Sequence, residues 1–174
     1  MENTMEFVLS VLNTTPQRWI HLAETIPVEL FQRAPAPEEW SAHECLQHIF
    51  DTEKMVFPAR VGYLLRGEDF PAYDPDAAGM KPVINMTSIE LAKTFRRLRR
   101  KSIKLLSSIK QNDLNKKARH QELGVVSLRE LINEWAGHDL MHTIQGERAI
   151  MQLFINACGP WKPYFEDHRI KKSP

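Results

Sequence analysis

The chain has 174 residues, 43% of them hydrophobic and 26% charged, with a formal net charge of +1. That length suits one domain with a substantial core, and the charge balance excludes nucleic acid or an anionic membrane as the expected main partner. Two cysteines, Cys45 and Cys158, are too few for a disulfide framework or a cysteine-rich zinc site.

The opening "MENTMEFVLSVLNTTPQRW" is acidic and interrupted by polar residues, unlike a signal peptide. No run reaches the roughly eighteen apolar residues of a membrane span. A single cytoplasmic domain over residues 1–174 is expected.

Met5, Val8, Leu12, Thr15, Trp19, Leu22 and Ile26 recur at steps of three and four and predict a first helix over about Asn3–Ile26. Pro16 lies inside it and should kink or divide it. "PVELFQRAPAPEEW" reads as a proline-rich connection with room for a short helical turn.

The second helix should open at Ser41, because "SAHE" places a glutamate three residues after a serine, the pattern of a capping box. Its seam is Cys45, Ile49, Thr52, Val56, Ala59 and Tyr63, with His48 and Met55 on the flank, and Gly67 is a suitable stop. Residues 67–86 have no clear period and form a long connection of the kind that covers a site or moves.

"TSIE" opens a third helix near Thr87 or Ser88, running to about Lys110 with Leu91, Phe95, Leu98, Leu105 and Ile109 inward. Ser127 and Glu130 open a fourth, running to about Phe154. No strand alternation stands out. The tail "GPWKPYFEDHRIKKSP" looks irregular, with Trp161, Tyr164 and Phe165 expected to pack on the helices. The expected class is all-α, a four-helix bundle with long inter-helix loops.

The fourth helix carries an anomaly. Counting in threes and fours from Leu128, one face bears Leu131, Trp135, His138, His142, Gln145 and Ala149. Two imidazoles therefore interrupt an apolar seam, which is costly unless each ring nitrogen finds a partner. Histidines four residues apart lie about 6 Å apart along a helix, on nearly the same face, and can bind one metal ion. The competing reading is a pair of core histidines hydrogen-bonded to carboxylates or carbonyls.

A third ligand would come from another helix. His48 lies on the inner border of the second helix, whereas His43 points away and should be exposed. His21, His120 and His168 match no seam and read as surface residues. Cys45 sits one turn before His48, and a buried, inert thiol is its commoner role. Trp40 and Trp135 should pack, Trp135 as a candidate for the pocket wall. "RRLRRK", residues 96–101, could contact phosphates, but a solvated helix face explains such a run more simply.

"EEWSAHECLQHIFDTE" at 38–53, "ARVGYLLRGEDFP" after it and "GHDLMHTIQGERAIM" at 137–151 resemble the DinB/YfiT-like superfamily of metalloenzymes over nearly the whole chain. The resemblance implies a four-helix bundle holding a divalent metal, zinc or nickel, on His48, His138 and His142, the same three residues reached by counting faces. It further implies an enzyme acting on a small-molecule substrate, conjugating a low-molecular-weight thiol to an electrophile. A metal-dependent hydrolase or a non-catalytic binding protein are the alternatives.

Three neutral ligands leave coordination positions open, the mark of a catalytic rather than a structural site. Glu44, Asp51, Glu134, Asp139 and Gln145 are candidates to orient the imidazoles or line the pocket. A homodimer through an exposed helix pair is an assembly such bundles allow.

Overall fold

The computed structural model describes residues 3–73 and 86–170. Its elements are α1 (Thr4–Thr25), α2 (Val28–Phe31), α3 (Ala42–Met55), α4 (Phe57–Arg66), α5 (Ser88–Ser107), β1 (Lys117–His120), β2 (Gly124–Ser127) and α6 (Leu128–Ala157). Short 3₁₀ helices cover Gln111–Asn115 and Gly159–His168. α1 packs on α5 and α6, and α3 packs on the same two, which makes a four-helix bundle.

All three expected capping boxes form. Ser41, Thr87 and Ser127 accept from the backbone N–H of Glu44, Glu90 and Glu130, whose carboxylates reach back to the cap N–H groups.

α1 is not divided at Pro16. Proline has no N–H, so the Leu12 carbonyl loses its donor one turn on. Arg99 supplies a replacement, its Nη1 donating to Leu12 O at 2.9 Å.

The second helix, expected as one piece, is two. α3 ends at Met55 and α4 begins at Phe57, with Pro58 in its first turn. Pro58 cannot donate into the α3 ladder, and its ring crowds the preceding turn. The break rotates the inward face: Phe57, Val61 and Leu64 are buried, while Ala59 is exposed and Tyr63 half-buried. Gly67 ends α4 in a left-handed conformation (φ 69°), as a glycine stop should.

The absence of strands is also corrected. β1 and β2 form an antiparallel hairpin running from Lys117↔Ser127 to His120↔Gly124. Phe70 joins it, donating to Arg119 O at 3.0 Å and accepting from Gln121 N–H at 3.2 Å. Four-residue strands leave too little sequence for alternation to register. Of the long connection expected over 67–86, residues 74–85 lie outside the described residues.

α5 ends at Ser107, short of the expected Lys110, and α6 continues to Ala157, past Phe154. The tail is a 3₁₀ helix, not irregular, and Trp161 and Tyr164 are exposed rather than packed. It is held instead by polar contacts: Arg148 donates to the His168 and Arg169 carbonyls, both at 2.8 Å.

The core has two apolar clusters, one around Leu12, Phe57, Val61, Ile132 and Trp135, the other around Trp19, Leu46, Ile49, Leu91 and Phe95. Between them lies a buried polar node. Arg99 sits over the Phe95 ring at 4.8 Å and the Trp135 ring at 5.5 Å, one from each cluster.

α6 packs tightly against α1 and α3 at Gly146. A Cβ there would stand 2.6 Å from Trp19 Cη2 and 3.5 Å from Ala42 Cα. Both neighbours are fixed, one a fully buried indole and the other backbone. Gly146→Ala should therefore cost about 1–3 kcal/mol as overpacking, read as a lower urea midpoint. An unchanged midpoint would show that the helices can separate there at no cost.

Candidate metal centre

α3 and α6 pack side by side, and this contact brings His48 against His138 and His142. Donor atoms of the three rings all lie within 4.8 Å of one another. His48 Nε2 and His138 Nε2 are 3.0 Å apart. His142 Nδ1 faces Gln145 Oε1 at 2.8 Å, which fixes the proton on Nδ1 and leaves Nε2 as the free lone pair. His138 Nδ1 is buried and has no partner among the described residues.

This donor set fits a divalent ion. In a neutral His48–His138 pair only one Nε2 can carry the proton, whereas a cation would take lone pairs from both. The set is also pre-adjusted electrostatically. Burial, reinforced by the neighbouring imidazoles, pushes the His48 pKa down to about 4 and that of His138 to about 3. Burial also lowers His142, partly countered by the Gln145 hydrogen bond and the Asp139 charge. At neutral pH all three are uncharged ligands, the form metal binding needs.

The same shifts set a pH dependence. Below the ordinary value of 6.5 the unfolded chain takes up protons that folded His48 and His138 refuse. The unfolded state then binds more protons, so stability falls as pH drops from about 6.5 towards 4. Urea midpoints of metal-free protein at stepped pH should show this decline, and it should shrink in a His48→Ala/His138→Ala variant. An equal decline in both would place its origin elsewhere.

Among the residues expected to support the imidazoles, Gln145 does so directly. Asp139 is buried, but it binds Arg99 and not a ring nitrogen, through contacts of 2.6 and 3.0 Å. Glu44 is committed to the Ser41 cap, and Asp51 accepts from Gln47 at 2.9 Å. Glu134 is on the exposed side of α6. None of these last three touches the histidines.

His43 is half-buried rather than exposed, its Nδ1 2.9 Å from Ser88 Oγ. His120 is buried rather than superficial, because the hairpin folds it against Phe70 and Arg60. Trp135 is fully buried and stacked on Phe57, whereas Trp40 is the tryptophan at the site, 5.8 Å from the His142 ring and 5.1 Å from that of His48. Cys45 is fully buried and its thiol is pushed up to about 12, chiefly by burial, which leaves it inert.

The residue that the sequence misled about is Arg99. It belongs to "RRLRRK" yet is buried, tied to Glu53, Asp139 and the Leu12 carbonyl. The available signal was position: Arg99 follows Phe95 by four residues, on the inward face of the helix.

A cleft of about 1140 Å³ is lined by Trp40 and Gln145, the two residues that contact the His48 and His142 rings, though by none of the three histidines themselves. Leu140, Met141, Ile144, Gln145 and Arg148 line it along α6, with Trp40 beside them, and Glu166, Asp167 and Ile170 of the tail line it as well. Among the described residues no helix is long and apolar enough to cross a membrane.

A helical bundle with three convergent, uncharged histidines defines a class, the helical bundles that could hold a divalent metal. The chain belongs to the DinB superfamily, whose model matches residues 12–145. A similar solved structure is YfiT from Bacillus subtilis, reported as "a probable metal-dependent hydrolase with an unusual four-helix bundle topology", at a TM-score of 0.72 and 15% identity, covering 86% of this chain and 87% of that one. That likeness concerns the fold. No curated protein matches the chain.

Proposed function

We propose that the protein is a metal-dependent transferase that joins a low-molecular-weight thiol to an electrophilic small molecule. His48, His138 and His142 would hold the ion, zinc or nickel. The observation that carries the reading is the neutral donor set: three uncharged imidazoles converge, among the described residues no carboxylate hydrogen-bonds any of them, and the buried carboxylate beside them, Asp139, is saturated by Arg99. A divalent ion held by neutral ligands acidifies a bound thiol or water. A thiol starts from a pKa near about 8.5 and needs no further base.

The chain's own residues do the rest. Gln145 holds the His142 ring in one orientation. Trp40 covers His48 and His142 on the cleft side and limits the water that reaches them. Leu140, Met141 and Ile144 offer an apolar surface for the body of the electrophile, and Arg148 fixes the tail that closes the far wall. Free Cys45 and Cys158 support a reducing, cytoplasmic setting.

Hydrolysis is the second reading, favoured by the description of YfiT and by the shared fold. Protein loaded with zinc or nickel should consume glutathione or bacillithiol in the presence of 1-chloro-2,4-dinitrobenzene, and chelation should stop it. Metal-dependent cleavage of 4-nitrophenyl acetate, with no thiol consumption, would replace the transferase reading with the hydrolase.

A further inference from the structure

The basic run of α5 has a second feature, on the side of the bundle away from the histidines. Arg96, Arg100 and Lys104 are spaced by four and form one stripe facing α1. With Asn13 and Gln17 of α1 they line a groove of about 320 Å³, and Arg99 also borders it. No acidic side chain among the described residues lines this groove.

The cations have no protein partners among the described residues, and Arg100 and Lys104 are exposed while Arg96 is half-buried. None of Arg96, Arg100 and Lys104 has an ion pair or hydrogen bond to another described residue, although Lys93 on the same helix pairs with Glu24 and Arg97 donates to Thr94. Arg96 Nε is buried without an acceptor among the described residues. A buried donor left unmatched is costly, and like charges four residues apart on a helix repel. One kind of occupant relieves both, an anion with several acceptor oxygens.

We infer that this groove binds a small molecule carrying two or more phosphoryl groups. Arg96 and Arg100 would give forked N–H donors to adjacent phosphoryl oxygens, and Lys104 a third charge. Arg99 would contribute field alone, since its donors already serve Glu53, Asp139 and Leu12. Successive members of the stripe lie about 6 Å apart along the helix, close enough for their long side chains to converge on adjacent phosphoryl groups, and the groove's volume falls in the range of small-ligand sites. A nucleic acid would need a longer basic track than one stripe on a chain of net charge +1.

The test is calorimetric titration of metal-free protein with tripolyphosphate, pyrophosphate and inorganic phosphate at fixed ionic strength. Tripolyphosphate should bind once per chain, more tightly than orthophosphate, and at least tenfold more weakly to Arg96→Gln/Arg100→Gln. That variant should fold with an unchanged or higher melting temperature, because repulsion is relieved. Arg97→Gln/Lys101→Gln, which removes the same charge outside the groove, should bind like wild type, and so should His48→Ala. Equal weakening by both charge-removing variants would reduce the effect to net charge and overturn the inference. Loss of binding in His48→Ala would place the anion at the histidines and overturn it too. Binding of a DNA oligonucleotide without binding of tripolyphosphate would replace the small ligand with nucleic acid.

Discussion

Asp139→Ala is expected to cost about 3–5 kcal/mol of folding stability, the range for removing one partner of a buried ion pair. Arg99 is 1% exposed, Glu53 2% and Asp139 1%, so water cannot replace a lost contact. Arg99 donates to both Asp139 oxygens, to Glu53 Oε2 at 2.9 Å and to the Leu12 carbonyl, and Ser102 donates to the other Glu53 oxygen. Burial opposes the charge on Arg99, and the two carboxylates more than offset that, raising its pKa.

Without Asp139 the guanidinium stays buried with a single counter-charge and loses its fork-shaped pairing. One arginine thereby links α5 to α1, α3 and α6, so the loss should be felt across the bundle. Urea denaturation reads it directly. As a control, Glu68→Ala, which removes the exposed partner of Arg66, should scarcely move the midpoint. A small loss in Asp139→Ala would mean that water enters the node and that the two core clusters do not depend on it.

His138→Leu is expected to act in opposite directions on stability and on binding. In metal-free protein the variant should be more stable than wild type by about 1 kcal/mol, because removing the buried Nδ1, which has no partner among the described residues, outweighs losing the single 3.0 Å contact with half-buried His48. The leucine would face Phe57, whose ring lies 5.1 Å from that of His138, so the space is already apolar on that side. The same change removes one of three ligands, and metal affinity should fall by more than about 100-fold, beyond what outer-shell changes cause. Wild type should recover by mass action, gaining about 2.7 kcal/mol once free ion exceeds its dissociation constant 100-fold. The two melting curves should therefore change order when zinc is added. If His138→Leu is less stable without metal, the histidines are a structural hydrogen-bonded cluster and the exchange of stability for binding is absent.

What the sequence made legible follows from the range of the interactions. Capping boxes need residues three apart, and all three form where "SAHE", "TSIE" and "SLRE" stand. The histidines were found because a 3.6-residue period shows which side chains share the inward face, and two imidazoles on an apolar seam demand a cause. Trp40 was harder to place. It precedes α3 outside any period, and only the packing of α3 on α6 turns it onto His142.

Arg99 carried one signal, its spacing of four from Phe95, but the groups that hold it are remote in the sequence. Its partners lie 46 and 40 residues away, and a buried arginine is spelled like its solvated neighbours. Pro58 did carry a signal for the break between α3 and α4, but the run of apolar residues across it masks the change of face. The hairpin has strands too short to display a period, and His120, read as superficial, is buried by a pairing with Phe70 that no local pattern announces.

The most direct test of the account is metal content and metal titration of untagged protein, beside folded His48→Ala, His138→Ala and His142→Ala variants. The account predicts one zinc or nickel ion per chain in wild type, retained through dialysis or restored on reconstitution, and lost in each of the three variants. Wild-type protein that takes up no stoichiometric zinc, nickel or manganese, or variants that bind as wild type does, would contradict it and leave the three histidines as part of the core.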